Sequence, residues 1–82
     1  MNRNEIRNIT KEIISNVAGI DAKELESDSK LREELMLDSL KEMEIVARTE
    51  LHFGISIDEE LLIHVRTFDD YCGLIEKAVE SK

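Results

Sequence analysis

Three stretches of this 82-residue chain repeat apolar residues at the spacing of an α-helix, and no proline interrupts any of them. The first is Ile6, Ile9, Ile13 and Val17, with Ile14 widening the stripe. The second is Leu40, Met43, Ala47 and Leu51, with Val46 and Phe53 broadening the face, and the third is Phe68, Tyr71, Cys72, Ile75 and Val79. Recurrence at three and four residues gathers side chains on one face of a helix, whereas a half-buried strand needs strict alternation. The only alternation, around Ile55 and Ile57, is too short for a sheet. The pattern predicts an all-α domain. Aromatic content of 4% and an apolar stock of mostly Ile, Leu, Val and Met suit short helices packed on one another.

Local punctuation sets the expected boundaries. Asn4 is the expected cap of the first helix and Gly19 its stop. The second helix should run from about Ser39 to His52 and end at Gly54. Asp58 can cap a short third helix through Ile63 or His64, and Thr67, three residues before Asp70, opens a fourth as a weaker relative of the capping box. Between the first two helices lies "IDAKELESDSKLREELML", which reads as a long loop holding a turn or two of helix, with Leu25, Leu31, Leu35 and Leu37 as anchors. A long irregular connection in a small domain is more often functional than idle. The expected architecture is one domain, residues 1–82, built as a four-helix bundle with a long loop between helices 1 and 2 and a short third helix.

Size and charge narrow the function. A chain this long buries roughly 60 to 65% of the surface its unfolded form exposes, enough for one modest core and not for a deep enzyme cleft. The formal charge of −8, from 19 Asp+Glu against 11 Lys+Arg, repels nucleic acid and anionic membrane surfaces and favours basic protein partners. No apolar run approaches a membrane span, the N-terminal stretch is interrupted by charge too soon for a signal peptide, and the single cysteine forms no internal disulfide. A cytoplasmic monomer is the expectation. His52, His64 and Cys72 are too few and too scattered for a zinc site. The acidic loop lacks the central glycine and alternating oxygen ligands of a calcium loop. A serine hydrolase would need a pocket and an oxyanion hole, and no glycine stands beside Ser39 to make the sharp turn that exposes such a nucleophile.

What remains is the serine itself, in "EELMLDSLKEMEIV". Asp38 can cap the second helix and leave the Ser39 hydroxyl free. A helix start presents unpaired N–H groups and a partial positive potential, which favours an attached phosphate by roughly 0.3 to 1 kcal/mol when exposed. Leu37 and Leu40 would pin both sides of the serine to the core and hold the hydroxyl outward, which is geometry for display.

The combination of Leu35 in register with Asp38-Ser39-Leu40, the acidic and apolar helix after it, Phe53-Gly54 closing that helix, Ile57-Asp58 opening the third and Thr67 opening the fourth resembles an acyl carrier protein over nearly the whole chain. In that family a similar "L-G-x-D-S-L" starts the second of four helices. The resemblance implies a chain without catalysis of its own. A phosphopantetheinyl transferase would move 4′-phosphopantetheine from coenzyme A onto Ser39, and the thiol of that arm, not Cys72, would carry an acyl or aminoacyl group as a thioester. Asp38 resembles the family aspartate that helps present the serine. Glu44 matches an acidic position that meets basic patches on acyl-transferring or condensing enzymes, with Glu42 and Glu50 assisting and Lys41 and Arg48 interrupting the acidity. Leu40 and Met43 could touch either the core or an incoming enzyme, with core packing the safer assignment. Leu40, Val46, Ala47, Phe53, Ile57, Leu61, Leu62, Val65, Tyr71 and Leu74 are the stock of an interior that could shelter an acyl chain.

Three departures from the family pattern stand out. Met36 replaces a frequent glycine, so the backbone there should suit a side chain. Ser56 and Asp58 flank Ile57 where a proline is frequent, and Gly73 sits inside the fourth helix. They leave open fatty acid, polyketide or other specialised synthesis. From another class, an unmodified acidic helical adaptor for a basic partner fits the same composition, and a small hydrolase using Ser39 is a distant third.

Overall fold

The computed structural model describes all 82 residues and contains helices and turns with no strand. Its α-helices are α1 (Arg3–Ala18), α2 (Leu31–Leu35), α3 (Ser39–Phe53), α4 (Glu59–Leu62) and α5 (Phe68–Glu80), with a 3-10 turn at Ala22–Glu24. The turn and α2 lie within the expected long loop. Counting α2 makes five α-helices rather than four. Antiparallel pairing is limited to one isolated bridge, Lys30 with Thr67.

Helix ends follow from local hydrogen bonding. Asn2, not Asn4, caps α1: its Oδ1 accepts from the Glu5 N–H at 2.9 Å, and the helix therefore starts two residues earlier than the apolar stripe alone suggests. Gly19 and Gly54 end α1 and α3 in the left-handed conformation that lacks a steric penalty only for glycine. Asp58 Oδ1 accepts from Glu60 N at 2.9 Å and starts α4, which stops at Leu62, a residue short of the expected end. At α5 a full capping box forms, with Asp70 N donating to Thr67 Oγ1 at 3.1 Å and Thr67 N donating back to Asp70 Oδ2 at 3.2 Å.

The core joins α1, α3 and α5. Ile6 and Ile14 from α1, Ile45 and Phe53 from α3, and Phe68, Tyr71, Cys72 and Ile75 from α5 are buried, and Leu31 from α2 with Leu25 and Ile57 from the connections close it. The α1 and α5 stripes lie where the spacing places them. The α3 face does not. Leu40, Met43, Ala47 and Leu51 are exposed, and the buried face is Ile45, Thr49 and Phe53 on roughly the opposite side. Leu61, also expected inside, is half exposed. The reason lies in Thr49. Its hydroxyl donates to the Ile45 carbonyl at 2.7 Å and accepts from the Tyr71 hydroxyl at 2.9 Å, so a residue that looks polar in sequence is satisfied in the interior. With Thr49 inside, the branched and aromatic stripe wins burial over the Leu and Met stripe.

The long loop is clamped rather than free. Leu31 N donates to Arg66 O, and Phe68 N and Asp69 N donate to Ser29 O and Ser27 O, each at 2.9 Å. From α1, Arg7 donates to Asp69 Oδ1 and to Ser27 Oγ, each at 2.8 Å, and its guanidinium lies 5.4 Å from the centre of the Phe68 ring. The Asp69 hydrogen bond raises the Arg7 pKa above its ordinary value. These bonds hold the segment leading into α2 and fix where that helix starts.

Candidate functional site

Asp38 and Ser39 divide the two tasks at the start of α3. Asp38 Oδ1 accepts from the Lys41 N–H at 2.8 Å, and its carbonyl accepts from Glu42 N at 3.0 Å. The cap is therefore complete without Ser39, whose exposed hydroxyl makes no hydrogen bond within the chain. Leu37 is half-buried against the core on one side. Leu40, expected to pin the other side, is 76% exposed, so the serine is anchored from one flank only. Met36 is 84% exposed and adopts φ 52°, the only positive φ outside glycine. The backbone there is of the glycine kind, contrary to the expectation that it would suit a side chain.

The acidic residues differ in how far they are committed. Glu44 is exposed and pairs with Arg48 one turn along α3 at 3.0 Å. Glu42 is half-buried and pairs with Arg32 of α2 at 2.6 Å. Glu50 is also half-buried, and its Oε2 accepts from Ile57 N at 2.8 Å, holding the connection to α4 against α3. Asp38 has no basic side chain within ion-pair distance. Met43, 69% exposed, is one turn beyond Leu40, so Ser39 begins a helix whose outer face is apolar as well as acidic.

Beside α3 lies a cleft of about 380 Å³ whose lining includes Leu31, Leu37, Val46, Leu62, Val65 and Tyr71. Nine of its 13 lining residues are hydrophobic. Burial pushes the Tyr71 phenol up to about 12, so it stays neutral. Burial likewise pushes the Cys72 thiol up to about 12, which leaves it inert as a nucleophile. Arg32, which no motif in the sequence marks, also lies at this cleft. Its pairing with Glu42 is a tertiary contact across ten residues, with no periodic signal to reveal it. No helix is long and apolar enough to cross a membrane.

Ser39 is thus an exposed, unbonded serine on a helix start that Asp38 already caps. Residues 9–75 match the family model described as a phosphopantetheine attachment site. The chain is 35% identical over 75 residues to the acyl carrier protein of Thermotoga maritima, covering 92% of this chain and 93% of that one. It is 36% identical over 69 residues to the meromycolate extension acyl carrier protein of Mycobacterium tuberculosis, covering 84% of this chain but 60% of that longer protein. With the acyl carrier protein of Rhodococcus erythropolis it shares 33% identity over 66 residues, 80% of this chain and 72% of that one. The chain belongs to the acyl carrier protein family. Its prosthetic group is accordingly 4′-phosphopantetheine.

Proposed function

We propose that this chain is primed at Ser39 and delivers thioester-bound acyl or aminoacyl groups among separate enzymes of fatty acid, polyketide or related specialised synthesis, with no catalysis of its own. The observation that carries this reading is the free Ser39 hydroxyl, left available because Asp38 alone caps α3. In priming, Ser39 Oγ loses its proton as it bonds to phosphorus, and the pyrophosphate bond of coenzyme A breaks to release adenosine 3′,5′-bisphosphate. When attached, the arm supplies a thiol that holds the cargo. The chain's part is to present the serine, keep the attachment rigid and offer a docking face.

That face comprises Asp38 and Glu44 with the exposed side chains of Leu40 and Met43. Basic patches on the phosphopantetheinyl transferase and on acyl-transferring or condensing enzymes complement it, through contacts that are fast and salt-sensitive. Glu50, tied to Ile57, serves the connection to α4 more than the docking face. The cleft is the shelter for cargo, driven by burial of methylenes at about 0.8 kcal/mol each.

The test is intact mass before and after incubation with coenzyme A, magnesium and a broad-specificity phosphopantetheinyl transferase. The expected result is a gain of one phosphopantetheine, abolished by Ser39→Ala with helix content unchanged. No gain from folded, initially unmodified protein, with the transferase active on a control carrier, overturns the reading in favour of an unmodified acidic adaptor.

A further inference from the structure

The cleft beside α3 is lined by nine apolar residues and four charged ones, Arg32, Glu42, Glu50 and Glu59. Arg32 and Glu42 both line it and are joined to each other, Nε to Oε1 at 2.6 Å. Glu42 stands three residues after Ser39, about one turn along α3. It is half-buried, while Lys41, Met43 and Glu44 around it are exposed, so Glu42 is on the side of α3 that turns inward. Glu42 is the first residue of α3 after Ser39 to line the cleft.

We propose that the Arg32–Glu42 pair is a polar gate to the cleft, through which this protein sorts acyl cargo by length. The proposal rests on the carrier reading with the arm on Ser39. An aliphatic chain that displaces the pair offers no donor or acceptor in return, so entry forfeits a charged hydrogen bond. Arg32 and Glu42 remain 55% and 30% exposed, and a pair in that setting is worth at most about fivefold in an equilibrium. Each methylene taken out of water is worth about fourfold. One or two methylenes therefore offset the gate. It does not bar the cleft; it raises by one or two carbons the length at which an acyl chain leaves water for the interior. Shorter groups stay on the arm and open to attack, and longer ones are sheltered.

The experiment uses the full chain loaded from acyl-coenzyme A substrates of increasing length, from butyryl to dodecanoyl, with thioester cleavage by hydroxylamine followed by intact mass. In the unaltered protein the rate falls once the chain passes a threshold length. Glu42→Gln and Arg32→Gln, which remove charge and keep much of the bulk, each move that threshold one or two carbons shorter. The double variant moves it no further than either single change, because both remove one interaction. About 1 M salt moves the threshold of the unaltered protein in the same direction and leaves the variants nearly unchanged. Equal thresholds in the unaltered protein and both variants, or rates independent of chain length, overturn the gate. Failure to load Ser39 at all overturns the carrier reading, and the mass shows it before hydroxylamine is added. If either variant loses helix content, the salt series on the unaltered protein decides.

Discussion

The wall formed by α1 and α5 and the wall formed around the cleft share one core yet are built differently. On the first, Phe68, Cys72, Ile75 and Ile14 are wholly buried, Arg7 bolts the loop to α5, and a capping box fixes the start of α5. On the second, α2 and α4 have five and four residues, Leu37, Val46, Leu62 and Val65 are only half-buried, and the interior opens to solvent. Helices this short hold their shape through tertiary contacts rather than their own hydrogen bonding. Rigidity is therefore concentrated on the wall of α1 and α5, and under the proposed function the wall around the cleft is the one that yields to cargo.

Truncating each wall measures that difference. Phe68→Ala should cost about 3 to 5 kcal/mol, a large part of the roughly 4 to 12 kcal/mol expected for a domain of this length. Leu62→Ala, on the cleft wall, should cost about 1 to 2 kcal/mol because its side chain is already partly in water. Urea unfolding of the two variants checks this, and equal losses would mean the walls are equally rigid. The next effect is the cap of α5. Thr67→Ala should lose about 1 kcal/mol. The N–H groups of Thr67 and Arg66 hold the Asp70 carboxyl below its ordinary value. A carboxyl whose pKa is lowered on folding stabilises the fold fully above its unfolded value of about 3.9, and that contribution is lost as pH falls through the lower folded value. Acid unfolding of Asp70→Asn should accordingly show a weaker pH dependence below about 4 than the unaltered chain.

Two backbone positions sharpen the contrast further. At Gly73, within α5, an added Cβ meets nothing within 4 Å, so Gly73→Ala should stabilise by up to about 1 kcal/mol. Met36, three residues before Ser39, is a side chain in a glycine conformation. Met36→Gly relieves about 1 to 2 kcal/mol of strain and gives part of it back through the freer unfolded chain, for a net gain of roughly 0.5 to 1 kcal/mol. Thermal melts of both variants check the signs. A gain at Gly73 with a loss at Met36 would mean that the Met36 side chain makes a stabilising contact.

What could be read from the residues alone was whatever short-range chemistry decides. Gly19, Gly54, Asp58 and the Thr67–Asp70 pair end or open helices through bonds spanning a few residues, and each does so here. The division of work between Asp38 and Ser39 is likewise local, and it holds. Asn2 and Asn4 both precede the same apolar stripe, and only the Glu5 N–H, which bonds to Asn2, distinguishes the cap. The buried face of α3 was not local at all. The helix carries two apolar stripes, and the choice between them depends on Tyr71, 22 residues away, satisfying Thr49. The Arg32–Glu42 contact had no sequence signature for the same reason.

Leu40 is where that ambiguity is put to the sharpest test. Were it in the core, as its spacing suggests, Leu40→Ala would cost about 2 to 5 kcal/mol. At 76% exposure it leaves no cavity, and alanine is at least as good a helix former, so stability should change by less than about 0.5 kcal/mol. The same substitution removes apolar surface beside Ser39, so under the proposed function the rate of priming by the transferase should fall while the melting curve stays in place. A large loss of stability would put the second stripe of α3 back in the core. An unchanged melt with an unchanged priming rate would confine transferase docking to Asp38, Glu44 and the rest of the acidic face. Only a slowed reaction on an equally stable fold separates a side chain kept outside for a partner from one that is merely left over.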